Sequence, residues 1–117
     1  MQLLMNYILE VKKTRGLGFI DGYVKKIKSY KINKVPNIGW RQVNFNKKFF
    51  KNKKNFFYFV HSYKIELKNK KYQTGFIKYG HNIIAASIKK DNIVGCQFHP
   101  EKSGKDGLIF LKNFLNG

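Results

Sequence analysis

From residue 56 onward, apolar and polar positions fall into short runs bounded by turn-forming residues. "FFYFVHSYKI" (56 to 65) is a continuous apolar and aromatic run, which predicts a strand buried on both faces. "YQTGFIKYG" (72 to 80), "NIIAASIKK" (82 to 90) and "IVGCQF" (93 to 98) predict three more strands, with turns at Gly80-His81 and Asp91-Asn92. The period then changes. In "KDGLIFLKNFLNG" (105 to 117), Leu108, Leu111, Phe114 and Leu115 line one face of an amphipathic helix, and Gly117 is available as its stop.

The first half is more broken. "YVKKIKSYKI" (23 to 32) is a strand candidate, "NKVPNIG" (33 to 39) a turn, and "GWRQV" (39 to 43) the start of a short strand. "NKKFFKNKKN" (46 to 55) is a charged loop or a lone helical turn, and "RGLGFIDG" (15 to 22) a glycine-punctuated loop. In "MQLLMNYILE" (1 to 10), Leu3, Leu4, Tyr7 and Ile8 recur at helical spacing, so a helix is expected there. It has no Ser, Thr, Asp or Asn before it, and a helix that opens inside its own pattern reads as cut at the front. With no internal repeat and no linker, the pattern predicts a single α/β domain over residues 1–117, truncated at its N-terminus, with a mixed sheet and flanking helices.

Composition narrows the class. A chain of 117 residues, 43% hydrophobic and 16% aromatic, has the make-up of a globular domain with a modest core. One cysteine excludes an internal disulfide framework and points to a reducing compartment. No stretch is long enough to span a bilayer, and the apolar start lacks the basic region and cleavage site of a signal peptide. A cytoplasmic location without membrane association is expected. The net charge of +18 raises nucleic acid as a partner. The positive charge is nearly all lysine, however, with Arg15 and Arg41 the only arginines, and it is spread along the chain. Arginine is the usual bidentate reader of phosphate and guanine. A solubilising surface with no specific nucleic-acid partner is the expectation.

Candidate chemistry concentrates in "NIVGCQFHPEKSG" (92 to 104), which holds Cys96, His99 and Glu101. Period-2 geometry puts Cys96 and Phe98 on one strand face and Gln97 and His99 on the other. Cys96 is therefore expected to be a small apolar core residue rather than the partner of His99. Pro100 keeps His99 out of the helical region, and in an extended segment His99 and Glu101 face the same way. Glu101 could then accept the Nδ1 proton and leave Nε2 as a base. A purely structural His-Glu pair at a strand-to-helix turn is the alternative reading of the same spacing.

"GCQFHPEKSGKDGLIFLKNFL" resembles the C-terminal signature of class I glutamine amidotransferases, and "FYFVHSY" (57 to 63) resembles their His-Ser strand. "KVPNIGW" (34 to 40) and "RGLGFIDGYVKKI" are similar to the members that supply ammonia to a cyclase subunit in histidine biosynthesis. Lys102 directly after the Glu fits the same members, and so does the Gly-Leu-x-x-Leu-x-Asn-Phe-Leu ending. The likeness spans essentially the whole chain. The family's nucleophile elbow reads Gly-x-Cys-Leu-Gly-Met-Gln-Leu-Leu, so "MQLLM" aligns with its last residues. Met1 then falls three residues after the nucleophile cysteine.

The resemblance implies a flavodoxin-like fold and a glutaminase reaction without metal or organic cofactor. A thiolate attacks the glutamine carboxamide, His99 acts as base and proton donor, and Glu101 orients it. It also implies that Gln2, Ser62 and Tyr63 contact glutamine. Trp40 and Tyr58 would lie towards the partner interface and ammonia exit, and Lys102 would pair with the cyclase in a heterodimer. The nucleophile cysteine itself is not in this sequence, so the chain alone is expected not to hydrolyse glutamine. Two residues depart from the family pattern: Arg41 where Asn usually follows Gly-Trp, and Asn37 where His is common. Both are expected on the partner-facing side, where they raise a related amidotransferase for surface-sugar biosynthesis as an alternative to the histidine-biosynthesis reading. A basic binding module without catalysis is the remaining alternative.

Overall fold

The computed structural model of the chain describes residues 5–9, 13–15, 20–29, 34–51, 55–91 and 93–115. Three sheets and one helix are present among them. The first sheet has the order β2-β1-β3-β7, formed by β1 (Met5–Leu9), β2 (Lys13–Arg15), β3 (Ile20–Lys26) and β7 (Tyr63–Leu67). The second has the order β10-β9-β8-β5, formed by β5 (Asn44–Phe45), β8 (Gln73–Tyr79), β9 (Asn82–Lys90) and β10 (Ile93–Cys96). The third pairs β4 (Asn37–Gln42) with β6 (Phe56–His61). Every pairing is antiparallel except β1 with β3. The helix α1 (Gly104–Leu115) closes the described chain. The architecture is the mixed α/β arrangement expected, with one flanking helix among the described residues.

β9 explains why two sheets share one body. Ile84, Ala85, Ala86, Ser87 and Ile88 are buried in unbroken succession. Ile84 and Ala86 join a core with Phe57, Phe59, Ile77, Phe98 and Phe110, while Ala85 and Ile88 join a second with Ile20, Val24 and Ile65. A strand buried on both faces reads as a nearly continuous apolar run, and "IAASI" (84 to 88) is one, while Ile83 before it is exposed.

The run 56 to 65 is different from its expectation. It breaks at Ser62 into β6 and β7, and along β6 burial alternates: Phe57, Phe59 and His61 point inward, Phe56 and Val60 outward. Tyr58 and Trp40, side by side across β4–β6, stack edge-to-face at 6.0 Å on the outer face. Period-2 geometry divides the aromatics between two environments, and the apolar count could not reveal it.

Other expectations are corrected too. Residues 5 to 9 form a strand where helical spacing predicts a helix; Leu3, Leu4 and Gln2 lie outside the described residues. The free edges of β3 and β2 supply ladder partners for this segment, whereas a short helix has a costly nucleus and only a weak propensity to set against them. The expected loop 15 to 22 already contributes Ile20, Asp21 and Gly22 to β3, and the strand candidate 23 to 32 leaves regular structure after Lys26. The turn at Gly80-His81 is present, with Gly80 at φ 61°.

Helix α1 presents a different face from the one expected. Phe110 is buried against the aromatic core, whereas Leu108 and Leu111 are 53% and 37% exposed. The inward stripe runs through Ser103, Gly107 and Phe110, at spacings of four and three. The side chains of Phe114 and Leu115, and Gly117, lie outside the described residues. The packing partner selects Phe110: its ring lies 5.1 Å from Phe98, 5.5 Å from Phe50 and 5.8 Å from Phe57, all edge-to-face. Such pairs add about 0.5–1.5 kcal/mol beyond their burial.

Candidate active site

The edge of β6 not paired with β4 is where the candidate site is assembled. A bare strand edge leaves backbone N–H and C=O groups without partners. Here the segment 99 to 106 supplies them. The His99 N–H donates to the Tyr58 carbonyl at 3.0 Å, the Tyr58 N–H donates to Ser103 Oγ at 2.9 Å, and the Phe56 N–H donates to Asp106 Oδ2 at 3.0 Å. Ser103 Oγ in turn donates to the His99 carbonyl at 2.6 Å. One hydroxyl serves as acceptor and donor at once, which its single proton and two lone pairs allow. Ser103 is fully buried. Sequence reasoning passed over it; its place just before the Gly that opens α1 was the available signal.

Between these anchors, Pro100–Lys102 forms a single 3-10 turn. Pro100 takes the first position, where its missing N–H leaves nothing unpaired. The turn brings the Glu101 carboxylate to His99 Nδ1, with Oε1 at 2.8 Å. The pairing expected from sequence is present, but its cause is different. His99 is extended (φ −101°, ψ 96°), and it is the turn after it, not continued strand alternation, that folds Glu101 back. The Glu101 carboxyl is held below the usual carboxylate range. A hydrogen bond from its own backbone N–H contributes most, slight desolvation opposes it, and His99 and Lys102 add to the lowering. With Nδ1 engaged by a carboxylate, any base or proton-donor role falls to Nε2.

Gly107 keeps this turn in place. A Cβ there would lie 1.9 Å from the Pro100 carbonyl oxygen. Only glycine lets the first turn of α1 approach so closely.

Cys96 is half-buried at the end of β10 and packs against the aromatic core that also holds Phe98. Burial pushes its thiol up to about 11. A thiol with that pKa is protonated at neutral pH and inert as a nucleophile. Its structural assignment stands.

Ser62 and Tyr63 lie at the other end of β6, where the strand breaks and β7 begins. The Ser62 carbonyl accepts the Ile27 N–H at 2.9 Å. Tyr63 packs partly buried against the second core. Trp40 is half exposed and Lys102 exposed. The structure therefore joins His99, Glu101 and Tyr58 directly, and Trp40 through Tyr58. Ser62 and Tyr63 connect to them along β6, Lys102 stands on the turn itself, and Gln2 lies outside the described residues.

The two departures do not sit where expected. Asn37 is fully buried, and the Arg41 guanidinium folds back over its own strand. Asn37 bonds His61, which sequence reasoning had noted only as part of a motif, and Arg41 bonds Asn37.

An imidazole oriented by a carboxylate, hung on the edge of a strand in a mixed α/β domain, is an arrangement that can chemically serve as the base half of a nucleophilic hydrolase or acyl-transfer site. Comparison with known proteins gives the family. The model for glutamine amidotransferase class-I matches residues 1–116, and the chain belongs to that family. It is 42% identical over 121 residues to imidazole glycerol phosphate synthase subunit HisH of Pelagibacter ubique, covering 99% of this chain and 58% of that protein. It is 44% identical over 118 residues to the subunit of the same name from Caldanaerobacter subterraneus, covering 97% of this chain and 57% of that protein. The Leptospira interrogans subunit is 42% identical over 123 residues, covering 99% of this chain and 59% of that protein. The chain thus spans less than three fifths of the length of these curated relatives. No helix among the described residues is long and apolar enough to cross a membrane.

Proposed function

We propose that this chain carries the base, its orienting carboxylate and the substrate-contacting strand of a HisH-type glutaminase, which releases ammonia from glutamine for a HisF-type cyclase subunit in histidine biosynthesis. The observation that carries the reading is the 2.8 Å pair of His99 Nδ1 and Glu101 Oε1, tied through Tyr58 to the strand that leads to Ser62 and Tyr63. His99 Nε2 would take the proton of a cysteine thiol and return one to the leaving ammonia, with Glu101 stabilising the imidazolium that forms between. Ser62 and Tyr63 would hold glutamine, together with Gln2. Trp40, half exposed, and Tyr58, partly buried beside it on the outer face of β4–β6, would border the cyclase and the ammonia exit, with Lys102 pairing across that interface.

Cys96 does not serve as the nucleophile: it is half-buried against the aromatic core, and burial pushes its thiol up to about 11. The thiolate must come from a segment that reads like the family's Gly-x-Cys-Leu-Gly elbow. Co-expression of this chain with the part of the Pelagibacter ubique relative that it does not cover tests the reading. Glutamate release by the assembled pair, abolished by His99→Ala, is the expected result. A stable pair that releases no glutamate, or one indifferent to His99→Ala, overturns it.

A further inference from the structure

Asn37, Arg41 and His61 make a chain of hydrogen bonds whose direction can be worked out atom by atom. His61 Nδ1 lies 2.8 Å from the Tyr63 carbonyl oxygen. A carbonyl only accepts, so Nδ1 carries a hydrogen. Burial, opposed by the Tyr63 bond and aided by the nearby His99, holds the imidazole below its ordinary 6.5. The ring is neutral and Nε2 presents a lone pair. Asn37 Nδ2, 2.9 Å from Nε2, is then the donor. Asn37 Oδ1 receives Arg41 Nε at 2.9 Å, and an arginine has only hydrogens to give. One orientation of the Asn37 amide satisfies both neighbours; the flipped one satisfies neither.

Arg41 is itself held in place. Its terminal nitrogens donate to the carbonyls of Trp40 at 3.3 Å and Ile38 at 3.2 Å, and its guanidinium lies 5.1 Å from the centre of the Tyr79 ring. Gly39, between those two carbonyls, has φ +132°, a conformation that disfavours side chains.

We propose that Asn37 and Arg41 are positioning residues: acting through His61, they fix the backbone of Ser62–Tyr63, where β6 breaks into β7. That this segment contacts glutamine rests on the function proposed above. The two departures from the family pattern are then one linked device. Asn37 reads the His61 lone pair, and Arg41 fixes which way Asn37 points.

Asn37→Asp tests this with an isosteric change. The carboxylate still accepts from Arg41 but has no hydrogen to give, so His61 Nε2 must gain a proton to keep its bond. In long-range 1H–15N spectra of the 15N-labelled chain at pH 7, the parent His61 is expected to show a protonated Nδ1 and a bare Nε2. In Asn37→Asp both nitrogens become protonated, and the Ser62 and Tyr63 amide signals shift while those of Ile77 and Ile84 on β8 and β9 stay. If Asn37→Asp does not fold, Arg41→Gln removes the Nε donor and is expected to shift the same two amides. An unchanged His61 pattern, or unmoved Ser62 and Tyr63 signals, overturns the proposal. In the co-expressed pair, Asn37→Asp is expected to raise KM for glutamine about tenfold with a smaller change in kcat, the order of one hydrogen bond from the displaced Ser62–Tyr63 segment to glutamine. A pair without glutaminase activity removes the functional reading, while the spectra of the chain still decide the positioning.

Discussion

The N–H of His99 donates to the carbonyl of Tyr58 at 3.0 Å, so the candidate base is hung on the backbone of a strand that lies 41 residues earlier in the sequence. The imidazole reaches its place through that bond, the Ser103 hydroxyl and the turn that returns Glu101, and each of these can be removed singly.

Ser103→Ala leaves the Tyr58 N–H and the His99 carbonyl without their buried partner. An unmade buried hydrogen bond costs about 1–3 kcal/mol. Urea unfolding of the variant is expected to show an unfolding free energy lower by that amount, seen as a lower midpoint at unchanged slope. Ser103→Thr keeps the hydroxyl and should recover part of the loss; equal loss in both variants would show that volume, not the hydroxyl, matters there.

Gly107→Ala places a methyl group 1.9 Å from the Pro100 carbonyl oxygen. Backbone has to move, and overpacking of this kind costs about 1–3 kcal/mol. The displaced group is the turn that carries Glu101, so the His99 side-chain 15N signals should change in this variant. A variant of parental stability with parental His99 signals would contradict the close approach.

Phe110→Ala empties a site shared by the Phe45, Phe50, Phe57 and Phe98 rings. Losses of about 3–5 kcal/mol are typical of such a truncation. Leu108→Ala and Leu111→Ala, on exposed positions of the same helix, are expected to stay within about 0.5 kcal/mol of the parent. The contrast, read by thermal or urea unfolding, separates the observed helix face from the one that leucine spacing predicts.

Stability should fall with acidity in a window set by His61. Its native pKa is held below the ordinary 6.5, mainly by burial. As pH drops through 6.5 the unfolded chain takes up a proton that the native imidazole refuses, so the native state loses ground until its own lowered pKa is reached. Above 6.5 both states are neutral there and the contribution is flat. Unfolding midpoints are expected to rise with pH up to the ordinary 6.5 and to level off above it, and His61→Gln should flatten that rise. Further loss below the ordinary carboxylate value of 4.5 is expected from Glu101. Glu66 adds to it, its carboxyl lowered by Lys25 and Lys64 against a desolvation that raises it.

Much of the second half could be read from residue order. The strands at 72 to 80, 82 to 90 and 93 to 98, the turn at Gly80-His81 and the closing helix follow from local spacing and turn chemistry, which act over a few residues. The meeting of His99 with Glu101 was equally legible, because proline restricts its neighbours wherever it stands. The geometry behind the meeting was not: extended alternation and a 3-10 turn both bring positions two apart together.

What residue order could not decide were choices made by distant partners. Residues 5 to 9 fit a helix by spacing, yet pair as strand because β3 and β2 offer edges. Helix α1 has two apolar stripes, and the cluster of phenylalanines selects the one with Phe110. Asn37 and Arg41 look like exposed departures in a loop motif until β4 is laid beside β6, where Asn37 meets His61 and Arg41 holds Asn37. Period and propensity belong to the local chain and are written in it. Which edge is free, which face is covered and which lone pair needs a donor depend on segments tens of residues away, and only their packing settles them.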